Sequence, residues 1–173
     1  CLYTINKLTA FLASLGHKVP KSTVADYIAW FEDAYFLFTV RLFDASAARA
    51  NANPKKIYCI DHSLVTSVSS GILVNSGHLL ENLVFTALRR ATARIHYVRT
   101  RNGREVDFVA QMEDRSRLLV QACESLSDPQ TRKRETVALN EAMSELGLPT
   151  ATIVTRGEED RIEVSNGIID VVP

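Results

Sequence analysis

Apolar residues recur at spacings of three and four in four segments of the chain, a pattern that predicts four amphipathic helices. The predicted helices cover residues 4–15, 22–34, 79–88 and 129–146. For the last of them, Asp128 supplies an N-cap before Pro129, and Gly147 follows as a left-handed stop. Local signals alone therefore predict where this helix begins and ends.

Aromatic and β-branched residues concentrate in shorter segments between these helices, and such segments predict strands. The predicted strands cover residues 35–43, 55–60, 94–100, 105–111, 118–124, 151–155, 161–164 and 168–172. The Asn102-Gly103 pair predicts a hairpin because it tolerates positive φ at both turn positions. A right-handed crossover makes strand 151–155 parallel to strand 118–124. The order from residue 79 onward is therefore αβββαβ, an α/β fold.

The first 61 residues have a different order: helix, turn, helix, strand, polar Ala-rich stretch, strand. That order is most of a winged helix, with the Ala-rich stretch as its wing. We expect Trp30 and the aromatic run that begins at Tyr35 to lie in its core. Residues 62–77 are rich in Ser and Gly and predict a linker, so the chain divides into a smaller winged-helix-like unit (1–61) and a second domain (78–173).

Composition excludes several classes of protein. Lys and Arg number 20 against 20 Asp and Glu, so no net charge steers the whole chain toward nucleic acid or anionic lipid. The apolar runs are far shorter than the roughly 20 residues of a membrane helix. The three cysteines lack the spacing of a zinc site or a disulfide framework, which favours a reducing, cytoplasmic setting. Any binding surface must therefore be local.

One local surface is predicted where acids are absent and arginines are frequent. The segment from Asn82 to Arg104 contains no Asp or Glu and has six arginines: Arg89, Arg90, Arg94, Arg99, Arg101 and Arg104. Guanidinium groups suit phosphates, so this segment predicts an anion-binding face for nucleic acid. The alternative is a solvated hairpin whose arginines pair with acids elsewhere. Lys21 lies where a recognition helix would meet a DNA backbone, although Asp26 nearby would repel phosphate.

Polar residues also recur on the strands of the second domain. Strand alternation places Glu105 and Asp107 on one face, and Val106 and Phe108 on the other. Acids on a helix and a neighbouring strand, followed by two polar positions one residue apart, form an arrangement that holds Mg²⁺ against a phosphate. The candidate positions are Glu81, Asp107, Gln121 and Cys123.

Five stretches carry a resemblance to a known family: NKLTAFLASLGHKVPKSTVADYIAWFEDAYFLF, NPKKIYCID, LLENLVFTALRR, YVRTRNGREVDFV and VQACESLSDPQTRKRETVAL. They resemble the C-terminal domain of unknown function in a large prokaryotic family of AAA-like P-loop ATPases. The second domain resembles the restriction-endonuclease-like fold, whose motif is an acid, then Asp or Glu, any residue and Lys. The resemblance implies an N-terminal module that binds ATP and Mg²⁺. This chain has no GxxxxGK loop, so we expect no ATP hydrolysis by it alone.

The resemblance transfers the helix acid to Glu81 and the first motif acid to Asp107, a weak metal pair. Gln121 stands at the position of the second acid, and Cys123 at the position of the lysine. A neutral thiol does not replace an ammonium. Arg134 or Glu135 is a candidate migrated substitute. We therefore expect a noncatalytic domain without a cofactor of its own.

Three functions remain open at this point. The favoured one is a noncatalytic domain that binds DNA or another partner for the attached ATPase module. The second is a nuclease with a remodelled site, which would need Mg²⁺. The third is docking or homo-oligomerisation, and none of the three involves a membrane.

Overall fold

The computed structural model describes residues 2–61, 63–64, 67 and 76–173. Its helices in the described residues are α1 (Ile5–Ser14), α2 (Lys21–Asp33), α3 (Ala47–Ala52), α4 (Ser76–Ala91) and α5 (Pro129–Leu146). Its strands there are β1 (Leu2–Tyr3), β2 (Leu37–Leu42), β3 (Lys55–Cys59), β4 (Ile95–Arg99), β5 (Glu105–Gln111), β6 (Arg117–Ala122), β7 (Thr150–Val154), β8 (Asp160–Val164) and β9 (Gly167–Val172). The predicted α/β class and the αβββαβ order from α4 to β7 are confirmed.

All these strands join one mixed sheet in the order β1-β3-β2-β4-β5-β6-β7-β9-β8. Strands β6 and β7 are parallel, as the crossover through α5 predicts, and β4 and β5 form the predicted antiparallel hairpin. In its turn Gly103 has φ of +80°, which a residue without Cβ adopts at no steric cost, whereas Asn102 does not have a positive φ, so only one of the two turn positions is left-handed. Parallel pairing of β2 with β4 joins the strands of residues 2–61 to those of the later segment. The predicted division into two units stays a prediction, and most of the predicted linker lies outside the described residues.

Helices α4 and α5 cover opposite faces of this sheet. Leu119 of β6 packs in the core cluster that contains Leu139 of α5, whereas its neighbour Val120 packs with Phe85 of α4. Successive strand residues point to opposite faces, so the two clusters lie on either side of the sheet. The helix–sheet–helix arrangement places α4 over β3, β5 and β6. This arrangement places Glu81 of α4 above Lys56 of β3 and Asp107 of β5.

The last helix begins and ends as its sequence signals predict. The carboxylate of Asp128 accepts hydrogen bonds from the backbone N–H groups of Gln130 and Thr131, and Gly147 closes α5 with φ of +66°. Both positions satisfy backbone groups that a helix end leaves unpaired. The cap fixes the start of α5, and with it the place of Glu135 beside the sheet.

The N-terminal segment departs from the sequence prediction in two ways. The Ala-rich stretch expected as a wing forms α3, because Ser46 caps it and alanine has the highest helix propensity. The aromatic residues expected in the core are exposed: Trp30 is 61% exposed and Tyr35 is 66% exposed. The reason is that α1 buries no residue and α2 buries only Val24, so within the described residues nothing covers the outer side of this helix pair.

No helix in the described part of the chain is both long and apolar enough to span a bilayer. The described cysteines, Cys59 and Cys123, are free thiols.

Candidate functional site

A buried lysine lies at the centre of the polar cluster between α4 and the sheet. Lys56 of β3 is 3% exposed, and its Nζ lies 2.7 Å from Asp107 Oδ1, 3.1 Å from Glu81 Oε1 and 3.0 Å from Glu105 Oε1. We name these four residues the lysine–carboxylate cluster. Burial disfavours the ammonium, but the charges of Asp107, Glu81 and Glu105 outweigh it and raise the pKa of Lys56. Lys56 is therefore positively charged throughout the physiological pH range.

Glu81 is held in the cluster from three sides. Tyr58 donates its hydroxyl to Glu81 Oε1 at 2.6 Å, and His78 Nδ1 lies 3.6 Å from Glu81 Oε2. Next to it on α4, the side-chain amide of Asn82 accepts the backbone N–H of Cys59 at 2.8 Å and donates to its carbonyl. Burial alone would raise the pKa of Glu81, but the Lys56 charge and the Tyr58 hydroxyl lower it. Glu81 is therefore an ionised acid fixed against β3.

A β-bulge directs Asp107 into the cluster. His96 of β4 pairs with Val109, but Val98 pairs with Val106, so Asp107 and Phe108 together lie opposite Tyr97. The extra residue breaks the alternation predicted for β5. Val106 packs on the α5 side and Phe108 on the α4 side, instead of sharing one face. Bulges commonly re-aim a side chain beside a functional site, and this one re-aims Asp107.

Strands β5 and β6 separate just beyond the Phe108–Val120 pair, and side chains bridge the gap. The backbone N–H of Asp107 donates to Gln121 Oε1 at 3.0 Å, and Asp107 Oδ2 accepts the N–H of Ala122 at 3.0 Å. Gln121 therefore does lie beside Asp107, as the sequence predicts. Its oxygen accepts a backbone N–H, and Asp107 is held by both β6 and Lys56.

Cys123 is not brought into this cluster. Its half-buried thiol donates to the carbonyl of Ser125 at 3.2 Å, and burial raises the pKa of the thiol. The ammonium beside these acids belongs to Lys56, 67 positions earlier in the chain than Cys123. One signal in the sequence could have indicated this contact. Lys56 and Tyr58 are two residues apart on β3, so they share a face of the strand, and Lys56 is the charged residue on that face. Lysine is seldom fully buried without a partner, so an acid was to be expected near it.

The cluster as it stands does not suit a divalent ion. Mg²⁺ binds carboxylate oxygens at about 2.1 Å. Here the Lys56 ammonium already lies within 3.1 Å of all three carboxylates. Within the described ranges, no group of three or more His, Cys, Asp or Glu side chains is arranged to hold a metal ion. The ammonium thus provides the positive charge that a metal would otherwise bring.

Asp107 gives the cluster a distinctive pH dependence. Burial raises the pKa of Asp107 to about 6, with Glu81 adding to the rise and Lys56 opposing it. The folded chain therefore keeps a proton that the unfolded chain releases between about pH 4 and pH 6, so this group makes stability fall as pH rises. In Asp107→Asn this effect is absent. We therefore compare the free energy of unfolding of Asp107→Asn with that of the native chain at each pH. The value for Asp107→Asn minus the native value should increase by about 2 kcal/mol from pH 4 to pH 7.

Urea denaturation at a series of pH values measures this difference, and Glu81→Gln supplies a control of opposite sign. Because the pKa of Glu81 is lowered, its ionised form stabilises the fold above its ordinary pKa, and that contribution is lost as pH falls. Glu81→Gln should therefore lower the free energy of unfolding by a larger amount as pH rises. Parallel pH curves for Asp107→Asn and the native chain would contradict the raised pKa.

A cavity of about 350 Å³ opens on the other side of Asp107. Its lining residues are Arg104, Glu105, Asp107, Gln121, Arg134, Glu135 and Ala138. Arg134 and Glu135, which the sequence offers as replacements for the missing motif residues, therefore border the same cavity as Asp107. Arg134 Nη2 lies 2.6 Å from Glu135 Oε1, so their charges neutralise each other. Their role as substitutes stays a prediction.

The six predicted arginines divide into paired and unpaired groups. Arg104 pairs with Glu141 at 3.0 Å, and Arg99 lies 3.8 Å from Glu105. Arg101 contributes only its backbone N–H, to Glu145. The alternative of a hairpin paired with acids thus describes part of this segment.

The other three arginines surround one end of α4. Arg89, Arg90 and Arg94 line a cavity of about 420 Å³ together with Thr92 and Gln111, and Glu113 is the acid on its wall. None of the three forms an ion pair with any described residue. We name them the arginine surface. Lys21 lies in neither place: it is exposed at the first position of α2.

Comparison with known proteins gives one family and one relative. The family model described as "Domain of unknown function (DUF4143)" matches residues 76–173. "Uncharacterized protein MJ1544" of Methanocaldococcus jannaschii is 31% identical over 180 residues, which cover 98% of this chain and 39% of that protein. The chain thus spans about two fifths of the length of this curated relative. No solved structure matches the chain significantly.

Proposed function

Since the chain belongs to the DUF4143 family, we propose that it is a noncatalytic, nucleic-acid-binding domain of a larger protein. In this proposal that protein is a prokaryotic AAA-like ATPase whose N-terminal P-loop module holds ATP and Mg²⁺, as the resemblance described above implies. The share of the relative that lies outside the matched region is consistent with such further domains. In this proposal the chain itself carries no cofactor.

We propose that residues 78–173 have a restriction-endonuclease-like fold and that residues 1–61 form a winged-helix-like unit. Three observations support the first part: the αβββαβ order, the acid of α4 that shares the Lys56 ammonium with Asp107 on a bulged strand, and the end of the β5–β6 pairing at that point. The helices α1 and α2 followed by the β2–β3 hairpin support the second. A fold alone does not establish an activity, so the function is argued from the sites.

The observation that carries the binding proposal is the arginine surface. Three arginine residues line one cavity, and none of them forms an ion pair with an acid in the described chain. Arginine binds phosphate through two parallel N–H groups and is more weakly hydrated than lysine, so an unpaired group of arginines favours a phosphate backbone as ligand. Because the net charge of the chain is zero, such an attraction must come from a local surface.

The lysine–carboxylate cluster supports the noncatalytic part. Each of its three acids already has an ammonium within 3.1 Å, and Gln121 is occupied by the backbone of Asp107. Hydrolysis of a phosphodiester by this type of site needs a metal ion to activate water and to neutralise the transition state. The arrangement favours a scaffold that binds without cutting.

The triple variant Arg89→Gln, Arg90→Gln, Arg94→Gln tests the binding proposal. Each phosphate contact contributes about 0.7–0.9 to the slope of log affinity against log salt. We expect the triple variant to lower this slope by about 2 and to weaken binding on the order of 10- to 100-fold at 100 mM salt. Fluorescence anisotropy with labelled oligonucleotides at several salt concentrations measures both quantities.

A control variant removes the same charge elsewhere. Lys18, Arg115 and Lys133 are exposed and have no ion pair with described residues, so Lys18→Gln, Arg115→Gln, Lys133→Gln should leave affinity within about threefold of the native value. If the native chain shows no salt-dependent binding to any oligonucleotide, the proposal fails. Equal losses of affinity in the two triple variants would mean that the chain binds oligonucleotides through its positive charges in general and not through the arginine surface.

Self-association is a second candidate function, and the exposed apolar side of α1 and α2 favours it. Phe11, Leu15, Tyr27, Trp30 and Phe31 are all exposed there. Large apolar side chains exposed together on a helix pair favour contact with another protein surface. Trp30 is the sole tryptophan of the chain, so a blue shift of its emission with rising protein concentration would report burial of this surface in a dimer. A dimer that lacks affinity for oligonucleotides would favour this function over the first.

A further inference from the structure

A second cavity adjoins the arginine surface and shares two of its residues. It has a volume of about 270 Å³ and is lined by Tyr35, Phe38, Ile60, Thr86, Arg89 and Arg90. Arg89 and Arg90 therefore separate a polar cavity from an aromatic one. Any ligand that extends along both cavities meets cations and aromatic rings in succession.

The rings and the guanidinium group are layered. The Arg89 guanidinium lies 5.3 Å from the centre of the Phe38 ring, and the Tyr35 ring meets Phe38 edge-on at 6.4 Å. Phe38 itself rests on the buried ring of Phe85, with 5.5 Å between ring centres. The core thus supports Phe38 and Arg89 from below, while Tyr35 remains outside.

Tyr35 has an unusual backbone for its residue type. It follows the end of α2 with φ of +54°, the left-handed conformation that glycine usually adopts at this position. A side chain with a Cβ is strained there. Burial does not offset that strain, because Tyr35 is 66% exposed. Apart from its edge-on contact with Phe38, the Tyr35 ring is left exposed, and it lines the same cavity as Arg89 and Arg90, which form no ion pair with described residues.

From this geometry we infer that the arginine surface and Tyr35 bind a single-stranded nucleic acid, an inference that rests on the function proposed above. Unpaired bases present flat faces that stack on aromatic side chains, whereas the bases of a duplex are already stacked on one another. In this arrangement Tyr35 stacks on a base, and Arg89, Arg90 and Arg94 contact successive phosphates. Single-stranded DNA and single-stranded RNA both have the phosphates and unpaired bases that these cavities suit, and separate arms of the test distinguish the two.

The test compares three fluorescein-labelled probes of 15 nucleotides or base pairs: oligothymidine, oligouridine and a mixed-sequence DNA duplex. Anisotropy titrations of the whole chain use the same salt concentration for each. We expect at least one single strand to bind more tightly than the duplex. A ribose preference appears as a difference between oligothymidine and oligouridine. Tighter binding of the duplex would overturn this inference and leave the proposed function standing, whereas no binding of any probe would remove both.

Tyr35→Gly separates binding from folding. Glycine relieves the left-handed backbone, so the melting temperature should stay equal or rise. Loss of a stacking ring should weaken single-strand binding on the order of tenfold and leave duplex binding unchanged. Leu118→Ala is the control, since Leu118 is an exposed apolar residue that borders neither cavity. Unchanged single-strand affinity in Tyr35→Gly, or an equal loss in Leu118→Ala, would contradict the assignment.

Discussion

Lys56→Met is expected to lower the free energy of unfolding by about 3–5 kcal/mol at pH 7, because it leaves three acids together without their shared cation. Methionine has a similar length and keeps most of the packing, so the loss reports mainly on charge. Asp107 and Glu81 lie within the fold beside Lys56 and cannot gain full solvation. Urea denaturation followed by far-ultraviolet circular dichroism measures the change.

Two comparisons make this expectation specific. Lys55→Met alters the neighbouring residue of β3, which is half-buried and has no ion pair with described residues, and it should cost less than about 1 kcal/mol. The loss in Lys56→Met should also shrink toward pH 5, because the carboxylates without their cation take up protons more readily in the folded state. A loss that is small at pH 7, or equal at pH 5 and pH 7, would mean that Lys56 does not hold these charges together.

Phe85→Ala should be comparably destabilising, by about 3–5 kcal/mol. Phe85 is 1% exposed, stacks on Tyr58 with 4.4 Å between ring centres, and also contacts Phe38 and Phe108. Removing the ring leaves a cavity between α4 and the sheet that these neighbours fill only in part. Glu81 lies one turn earlier on α4, so the same variant should loosen its contact with Tyr58.

Leu83→Ala on the same helix is the control for this variant. Leu83 is 52% exposed, so its truncation should cost less than about 1 kcal/mol. Chemical denaturation of both variants at pH 7 compares them directly. If the two losses were similar, α4 would not be held to the sheet by the face that carries Phe85.

The elements that local signals determine were predictable from sequence. Helix α5 lies between Asp128 and Gly147 as predicted, because an N-cap and a left-handed stop act within a few residues. The β4–β5 hairpin follows from Asn102-Gly103 for the same reason. Capping by Ser46 also accounts for α3, although the position of this Ala-rich stretch between two strands favours a wing.

The centre of the candidate site was only partly predictable. Glu81, Asp107 and Gln121 do come together, whereas the contact between Lys56 and Asp107 spans 51 positions. That contact depends on the order β3-β2-β4-β5 and on a bulge at Asp107, neither of which has a local signal in the sequence. Exposure of Trp30 was likewise unpredictable, because periodicity indicates an apolar side of a helix but not whether anything covers it.

If the Lys56 ammonium occupies the place of a metal ion among Glu81, Glu105 and Asp107, a divalent ion should bind there only when that ammonium is removed. Calorimetric titration of Mn²⁺ at pH 7 into the native chain and into Lys56→Ala measures this. We expect no uptake by the native chain, and uptake of one ion by Lys56→Ala that disappears when Asp107→Asn is added. Binding of one Mn²⁺ by the native chain that is lost in Asp107→Asn would contradict the role given to Lys56.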